Sequence, residues 1–206
     1  NAPSLNLPIA RYTNKERTAL LLEVKDKGTL ELERTKAEHV DVFYSREELT
    51  PRLGDYALVL VVSPQRFDAG ATPTIQFVPR VLSLGLGCRY QCEPTDIVEH
   101  IFSEIRRLGF YPEAIGKLAT IDLKKDEPLL NELADRLGVT PLIYTADELK
   151  DVEVLSPSQK VFEVTGVWGV AESTSRYAAG LGSIILPKQR GMVHPGNDFT
   201  FALAIE

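Results

Sequence analysis

From Arg80 to the end of the chain, apolar runs of strand length alternate with segments that carry helix signals at both ends, and few folds accommodate that alternation. Arg80–Leu86 reads as a strand covered on both faces, because its apolar residues scarcely alternate with polar ones. Asp96–Leu108 follows as a helix, with Ile97, Ile101, Ile105 and Leu108 on one stripe and Gly109 closing it. Ile115–Ile121 is the next strand. Asp126 is placed to cap a helix that has Pro128 in its first turn and Leu129, Leu130, Leu133 and Leu137 facing inward, with Gly138 ending it. Pro141–Tyr144 is a short strand and Ala146–Leu149 a helical turn. Ser156-Pro157-Ser158-Gln159 has capping-box spacing for a helix ending at Gly166, and another helix lies between Gly169 and Gly180. Ser183–Pro187 and Phe199–Ile205 close the chain as a hairpin joined by "KQRGMVHPGND". The pattern predicts an α/β domain of three layers: a mostly parallel sheet, helices on both faces and an antiparallel C-terminal hairpin.

A smaller α/β unit precedes it. Gly and two prolines in "DAGATPTIQFVPR" mark a break near residues 68–80, so the expected division is 1–79 and 80–206. In the first part, Ala19–Val24 and Thr29–Glu33 read as strands flanking a "KDKG" hairpin turn. Val40–Tyr44 and Tyr56–Ser63 are further strands, and Ser45 caps the short helix of "REELTPRL".

Charge narrows the range of partners. The net charge is −6, yet the residues up to Arg80 hold eleven basic and eleven acidic side chains. The whole excess therefore falls on the second part, which disfavours a nucleic-acid backbone but leaves room for a small anion held by a few cations. The longest apolar stretch, Tyr56 to Val62, is far short of the ~18 residues of a membrane span. The opening "NAPSLNLPIARYTNKER" lacks the basic end and apolar core of a secretory signal. Two cysteines four residues apart, Cys88 and Cys92, do not make a disulfide framework, and a reducing cytoplasm is expected. Of the histidines only His100 is near them in sequence, so no protein-held metal is expected.

In open α/β sheets, ligands bind beyond the carboxyl ends of the strands. Three turns stand there: Gly85-Leu86-Gly87-Cys88-Arg89, Thr120 to Glu127, and the last hairpin with Lys188, Gln189 and Arg190. The glycine turn lacks the third glycine of a dinucleotide fingerprint, and no Gly-Lys-Ser/Thr follows to make a phosphate loop. It is either a turn that needs glycine backbone or a place where bare N–H groups and Arg89 meet an anion at a helix start. Asp126 and Glu127 suit the helix dipole, whereas Asp122 either takes a proton or bonds its own turn. Cys88 reads as a small buried residue, because no His is placed to act as its base. Glu172 has a surface role at a helix start available to it. Trp168, between two glycines, is either a platform for a flat ligand or a plug over the core.

"GLGCR" after a strand, "ATIDLKKDEPLLNELADRLG", "VFEVTGVWGVAE" and the closing "LPKQRG…FTFALA" together resemble the C-terminal domain of the CbiG family of cobalamin biosynthesis, a domain shared with the CobE proteins. Residues 1–79 resemble the central region of that family. The resemblance implies corrin-ring assembly: opening of the δ-lactone of cobalt-precorrin-5A and loss of acetaldehyde as the ring contracts. The alternative it implies is a CobE-like domain that binds or carries a corrinoid without chemistry. Carried over residue by residue, the family's motifs fall on Gly85, Gly87, Cys88 and Arg89, on Thr120, Asp122, Lys124 and Glu127, on Gly169 and Glu172, and on Lys188. Asp122 and Glu127 are then the expected catalytic carboxylates and the others the expected substrate-binding residues. After Arg89, family members often have a basic residue, Gly and Ser/Thr, where this chain has Tyr90, Gln91, Cys92 and Glu93. The implied partner is a tetrapyrrole, and cobalt arrives within the substrate, with no cofactor held by the protein. The expected assembly is a homodimer, or a longer parent chain carrying an N-terminal CbiG domain or a fused precorrin methyltransferase.

Overall fold

A computed structural model describes residues 6–196 and 198–206. The chain divides into two units, one ending at Pro79 and the other beginning at Arg80.

The first unit is built on a four-stranded parallel sheet. Its strands are β1 (Thr18–Leu22), β2 (Val40–Phe43), β3 (Leu58–Val62) and β4 (Thr74–Phe77), in the order β2-β1-β3-β4. Helices α1 (Asn6–Thr13), α2 (Lys27–Arg34) and α3 (Arg46–Leu49) accompany them. The expected strand Thr29–Glu33 is α2 instead. Parallel β1 and β2 cannot be joined by a tight hairpin and need a crossover. "KDKG" supplies its start: the Asp26 side chain accepts the Thr29 N–H, and the Thr29 hydroxyl accepts the Asp26 N–H, a reciprocal cap. Ser45 caps α3 through the Glu48 N–H, as anticipated. Beyond the strands, Arg46 binds both carboxylate oxygens of Glu23 at 2.7 Å and also donates to Ser63 Oγ and to the carbonyls of Gln65 and Arg66. In this unit a guanidinium of the protein's own occupies the loops that follow β1 and β3.

The second unit is a five-stranded sheet in the order β7-β6-β5-β9-β8. Strands β5 (Leu82–Cys88), β6 (Ile115–Ile121) and β7 (Leu142–Tyr144) run parallel, while β8 (Ser183–Met192) and β9 (Asp198–Ile205) form the antiparallel hairpin. Helices α4 (Ile97–Arg107), α5 (Pro128–Leu137), α6 (Ala146–Leu149), α7 (Gln159–Thr165) and α8 (Val170–Ala178) complete it.

The two faces of this sheet are packed differently. On one, Leu84 and Leu86 of β5 sit in register with Leu203 and Phe201 of β9, all buried, and His100 of α4 meets Phe199 edge-on. On the other, Gly85 and Gly87 lie opposite Ala202 and Thr200, and α8 comes in close. A Cβ built on Gly85 would stand 1.9 Å from the Ala171 carbonyl oxygen and 2.7 Å from the Ser175 nitrogen of α8. The glycines are therefore not a turn between strand and helix. They continue β5 as far as Cys88, and their bareness admits α8 against the sheet.

Three other local readings change. Glu127, not Asp126, occupies the N-cap position of α5, and its carboxylate is engaged elsewhere. The Ser156 box does not form, because α7 starts after Ser158 with no side-chain cap. Strand β8 runs to Met192, which leaves a shorter hairpin loop.

The packing of α8 gives a sharp expectation. Gly85→Ala forces helix backbone away from the sheet and costs about 3 kcal/mol or more. Gly54→Ala, where nothing lies within 4 Å of the new Cβ, leaves stability within about 0.5 kcal/mol. Urea unfolding of the two variants checks the contrast.

Candidate functional site

A cavity of about 620 Å³ opens at the carboxyl ends of β5 and β6. The end of β5 and the residues after it supply Gly87 to Tyr90, and Lys124 comes from the turn after β6. Ser158 and α7 form a wall with Lys160, Val161, Val164 and Thr165, and α8 contributes Gly169 and Val170 at its start. The hairpin adds Lys188, Arg190 and Gly191 from one strand and Asp198, Phe199 and Thr200 from the other. The three turns singled out from the sequence thus meet at one hollow.

Its charge is opposite to that of the unit around it. Among the described residues five basic side chains line it (Arg89, Lys124, Lys160, Lys188 and Arg190) against one acidic one, Asp198. Arg89 pairs with Asp198 at 2.9 Å, and Lys124 with Glu127 at 3.1 Å. None of the ion pairs among the described residues includes Lys160, Lys188 or Arg190. Helix α8 also begins at this hollow: Gly169 is its N-cap with no side-chain cap, so the positive end of the helix dipole adds to the cationic field. The bare amides expected at Gly87 are not free there, since the β5 backbone is spent on pairing with β9.

Apolar surface accompanies the charge. Tyr90 and Val164 line the cavity and are 81% and 74% exposed, and Val161, Val170 and Phe199 lie with them. A ligand with an apolar body and an anionic rim matches this lining. Gln91, beside Tyr90, holds φ at +52°, a left-handed conformation natural to glycine.

Six of the expected site residues line the cavity: Gly87, Cys88, Arg89, Lys124, Gly169 and Lys188. The other five lie outside the lining. Gly85 is buried under α8. Thr120 is buried and donates its hydroxyl proton to the Leu86 carbonyl, tying β6 to β5. Asp122 is exposed, and its carboxylate accepts the N–H of Leu123 in its own turn. Glu127 is buried behind the cavity, where its two oxygens accept the Cys92 N–H and the Lys124 ammonium. Glu172 is fully buried rather than on the surface. One of its oxygens accepts the Lys188 N–H and the other the Ser156 N–H, both at 2.8 Å, so it binds β8 to the segment before α7. Trp168 stacks on Phe162, 4.4 Å between ring centres, away from the lining.

Sequence reasoning missed Tyr90, Lys160 and Asp198 as lining residues. The signal for Lys160 was present: "QKVFEVT" places apolar side chains around a helix in which none is fully buried, as expected for a helix beside an open hollow. Asp198 could be found only from the pairing of β9 with β5, which sets its carbonyl against the Arg89 N–H and its carboxylate against the guanidinium.

The cysteines are chemically quiet. Burial first, then the nearby Glu127 charge, pushes the Cys88 thiol up to about 12, and the same two causes raise Cys92. Among the described residues no group of three or more His, Cys, Asp or Glu gathers as a metal site, and no helix is long and apolar enough to cross a membrane.

These residues make a cation-lined hollow at the carboxyl ends of the parallel strands of an α/β domain. Residues 82–204 match the family described as "Cobalamin synthesis G C-terminus", and residues 2–79 match "Cobalamin biosynthesis central region". The chain belongs to the CbiG family of cobalamin biosynthesis. It is 27% identical over 183 residues to a protein of Priestia megaterium named cobalt-precorrin-5A hydrolase, across 88% of this chain and 49% of that protein. The chain thus spans about half the length of that relative. It is 26% identical over 115 residues to Protein CobE of a Sinorhizobium species, across 55% of this chain and 75% of that one. The crystal structure of CobE, described as a protein from the cobalamin (vitamin B12) biosynthetic pathway, is similar with a TM-score of 0.52 at 29% identity, covering 60% of this chain and 92% of the other.

The raised thiols can be tested directly. Both folded-state values lie above the unfolded ones, so the protons are retained on folding, and the Cys88 contribution to stability fades as pH rises above ~9 toward 12. At pH 8 both cysteines should react with a thiol-exchange reagent at least about 100-fold more slowly in the native chain than in denaturant, where two react promptly. Absorbance of the released reagent thiolate measures both rates.

Proposed function

We propose that the second unit binds a corrin precursor in this cavity and carries out the opening of the δ-lactone of cobalt-precorrin-5A, with loss of acetaldehyde. The observation that carries this reading is the concentration of five cations and a helix N-terminus around one hollow of an otherwise acidic unit. A corrin precursor is a broad apolar ring with a rim of carboxylates, and it brings its own cobalt. Arg89, Lys160 and Arg190 would meet the rim, and Tyr90 and Val164 the ring face. A shared pocket between copies of the chain, or with other parts of a longer parent, would help to cover so wide a ligand.

The chemistry asks for two things. Water must attack the lactone carbonyl, which leaves a carboxylate and a free alcohol. That alcohol must then lose its proton, so that the carbon–carbon bond breaks, acetaldehyde leaves and the electron pair returns to the ring. Asp198 is the carboxylate that faces the cavity, so the role of proton acceptor assigned by resemblance to Asp122 passes to it. Glu127 serves from behind by holding Lys124. The start of α8, with Lys188 nearby, faces the developing oxyanion.

The test is incubation of the chain with cobalt-precorrin-5A, reading the visible spectrum for binding and trapped acetaldehyde for turnover. Asp198→Asn should keep binding and stop acetaldehyde release, while Asp122→Asn changes neither. Arg89→Ala should weaken binding about tenfold. Binding without any acetaldehyde from the unaltered chain would favour a carrier role, and no binding would remove the corrin reading.

A further inference from the structure

Helix α7 walls the cavity although little apolar surface holds it there. None of its side chains is fully buried, and its start has no side-chain cap. Polar links at its entry set its place. The Ser156 N–H donates to one oxygen of Glu172 at 2.8 Å, and the Ser158 N–H donates to the Trp168 carbonyl at 2.8 Å. The Ser156 carbonyl in turn accepts from the Lys188 Nζ at 2.6 Å, and the Lys188 N–H donates to the other Glu172 oxygen at 2.8 Å. Glu172, Ser156 and Lys188 thus close a ring of three hydrogen bonds that joins α8, the segment before α7 and β8.

We propose that Glu172 is the positioning residue of the cavity: it lies outside the lining, yet it fixes the Lys188 ammonium and the α7 wall between which an anion is held. The inference deepens the corrin reading and rests on it for the ligand, whereas the ring itself is tested without one. Glu172 is fully buried, and none of the ion pairs among the described residues includes it. A buried carboxylate is costly unless its oxygens are satisfied, and here two backbone N–H groups satisfy them. Two donors that converge on one side chain need two acceptor oxygens, which a carboxylate offers and an amide does not. The same saturation keeps Glu172 from pairing with the Lys188 amine. Ser156 takes one of that ammonium's three donors, and the others are left for an anion in the hollow beside Arg190.

Amide exchange followed by NMR tests the ring in the unaltered chain. Ser156 belongs to no helix or strand, yet its N–H should exchange at least about 100-fold more slowly than an open loop amide. Exchange at the open-loop rate overturns the proposal. In Glu172→Gln one of the two backbone donors loses its acceptor, so exchange should quicken at residues 155–166 and at Lys188 and stay unchanged in α5. Loosening spread evenly over the second unit, the pattern that the core change Ile105→Val supplies, makes Glu172 merely structural and overturns the proposal. The binding probe is coproporphyrin, a fluorescent tetrapyrrole with carboxylate arms. Glu172→Gln and Lys188→Met should each weaken its binding about tenfold, and the double variant should weaken it no further. Additive losses separate the two residues and overturn the claim that Glu172 acts through Lys188. If the unaltered chain binds no coproporphyrin, the corrin reading falls, and the exchange pattern still decides the role of Glu172.

Discussion

The close approach of α8 to the sheet is the contact on which the second unit depends. It is possible because the face of β5 and β9 beneath the helix presents only hydrogen, methyl and hydroxyl groups, at Gly85, Gly87, Ala202 and Thr200. The helix answers with Ala171, Thr174, Ser175 and Ala178, all buried. Small residues on both sides bring backbone near backbone, and the Thr174 hydroxyl spans the contact to the Ala119 carbonyl of β6. Because α8 lies this low, its first turn meets the ends of the strands rather than passing above them. A packing requirement thereby places a positive helix end at the cavity, and Glu172 in that same turn anchors β8 and the segment before α7.

Much of this was legible in the sequence, and the failures have physical causes. The period of Ile97, Ile101 and Ile105, the glycine stops and the β-rich runs marked the helices and strands of the second unit, because burial there follows the local pattern closely. The glycines were recognised as special but for the wrong partner. Glycine signals close approach without saying whether a ligand or a helix makes it. The crossover α2 was misread because its buried side is a single threonine, and an Asp-Lys-Gly sequence suits a cap as well as a hairpin. The convergence of Arg89, Lys124 and Lys188 was visible through the rule that places ligands at strand ends. Asp198 was not, since only strand pairing over a long sequence separation carries it there.

The electrostatic arrangement separates capture from storage of charge. The two carboxylates closest to the cavity cations are held differently: Glu127 is buried and fixed to the backbone at Cys92, whereas Asp198 stands at the surface of the hollow with Arg89. Lys124 is thus neutralised from behind, while an incoming anion can compete with Asp198 for Arg89. In the first unit the equivalent cation, Arg46, is fully engaged by Glu23 and three neighbouring acceptors, and burial of that carboxylate is outweighed by the Arg46 and Ser63 hydrogen bonds, which hold its pKa below the usual range. The same kind of side chain is structural in one unit and available in the other.

Helix α7 differs from every other wall of the hollow. It has no fully buried side chain, it is bounded by an uncapped start and a left-handed glycine, and its Val164 is largely exposed on the cavity lining. Below it lie paired strands and the tightly seated α8. The enclosure therefore has a firmly packed floor and a lightly packed roof, and local opening costs least at that one short helix.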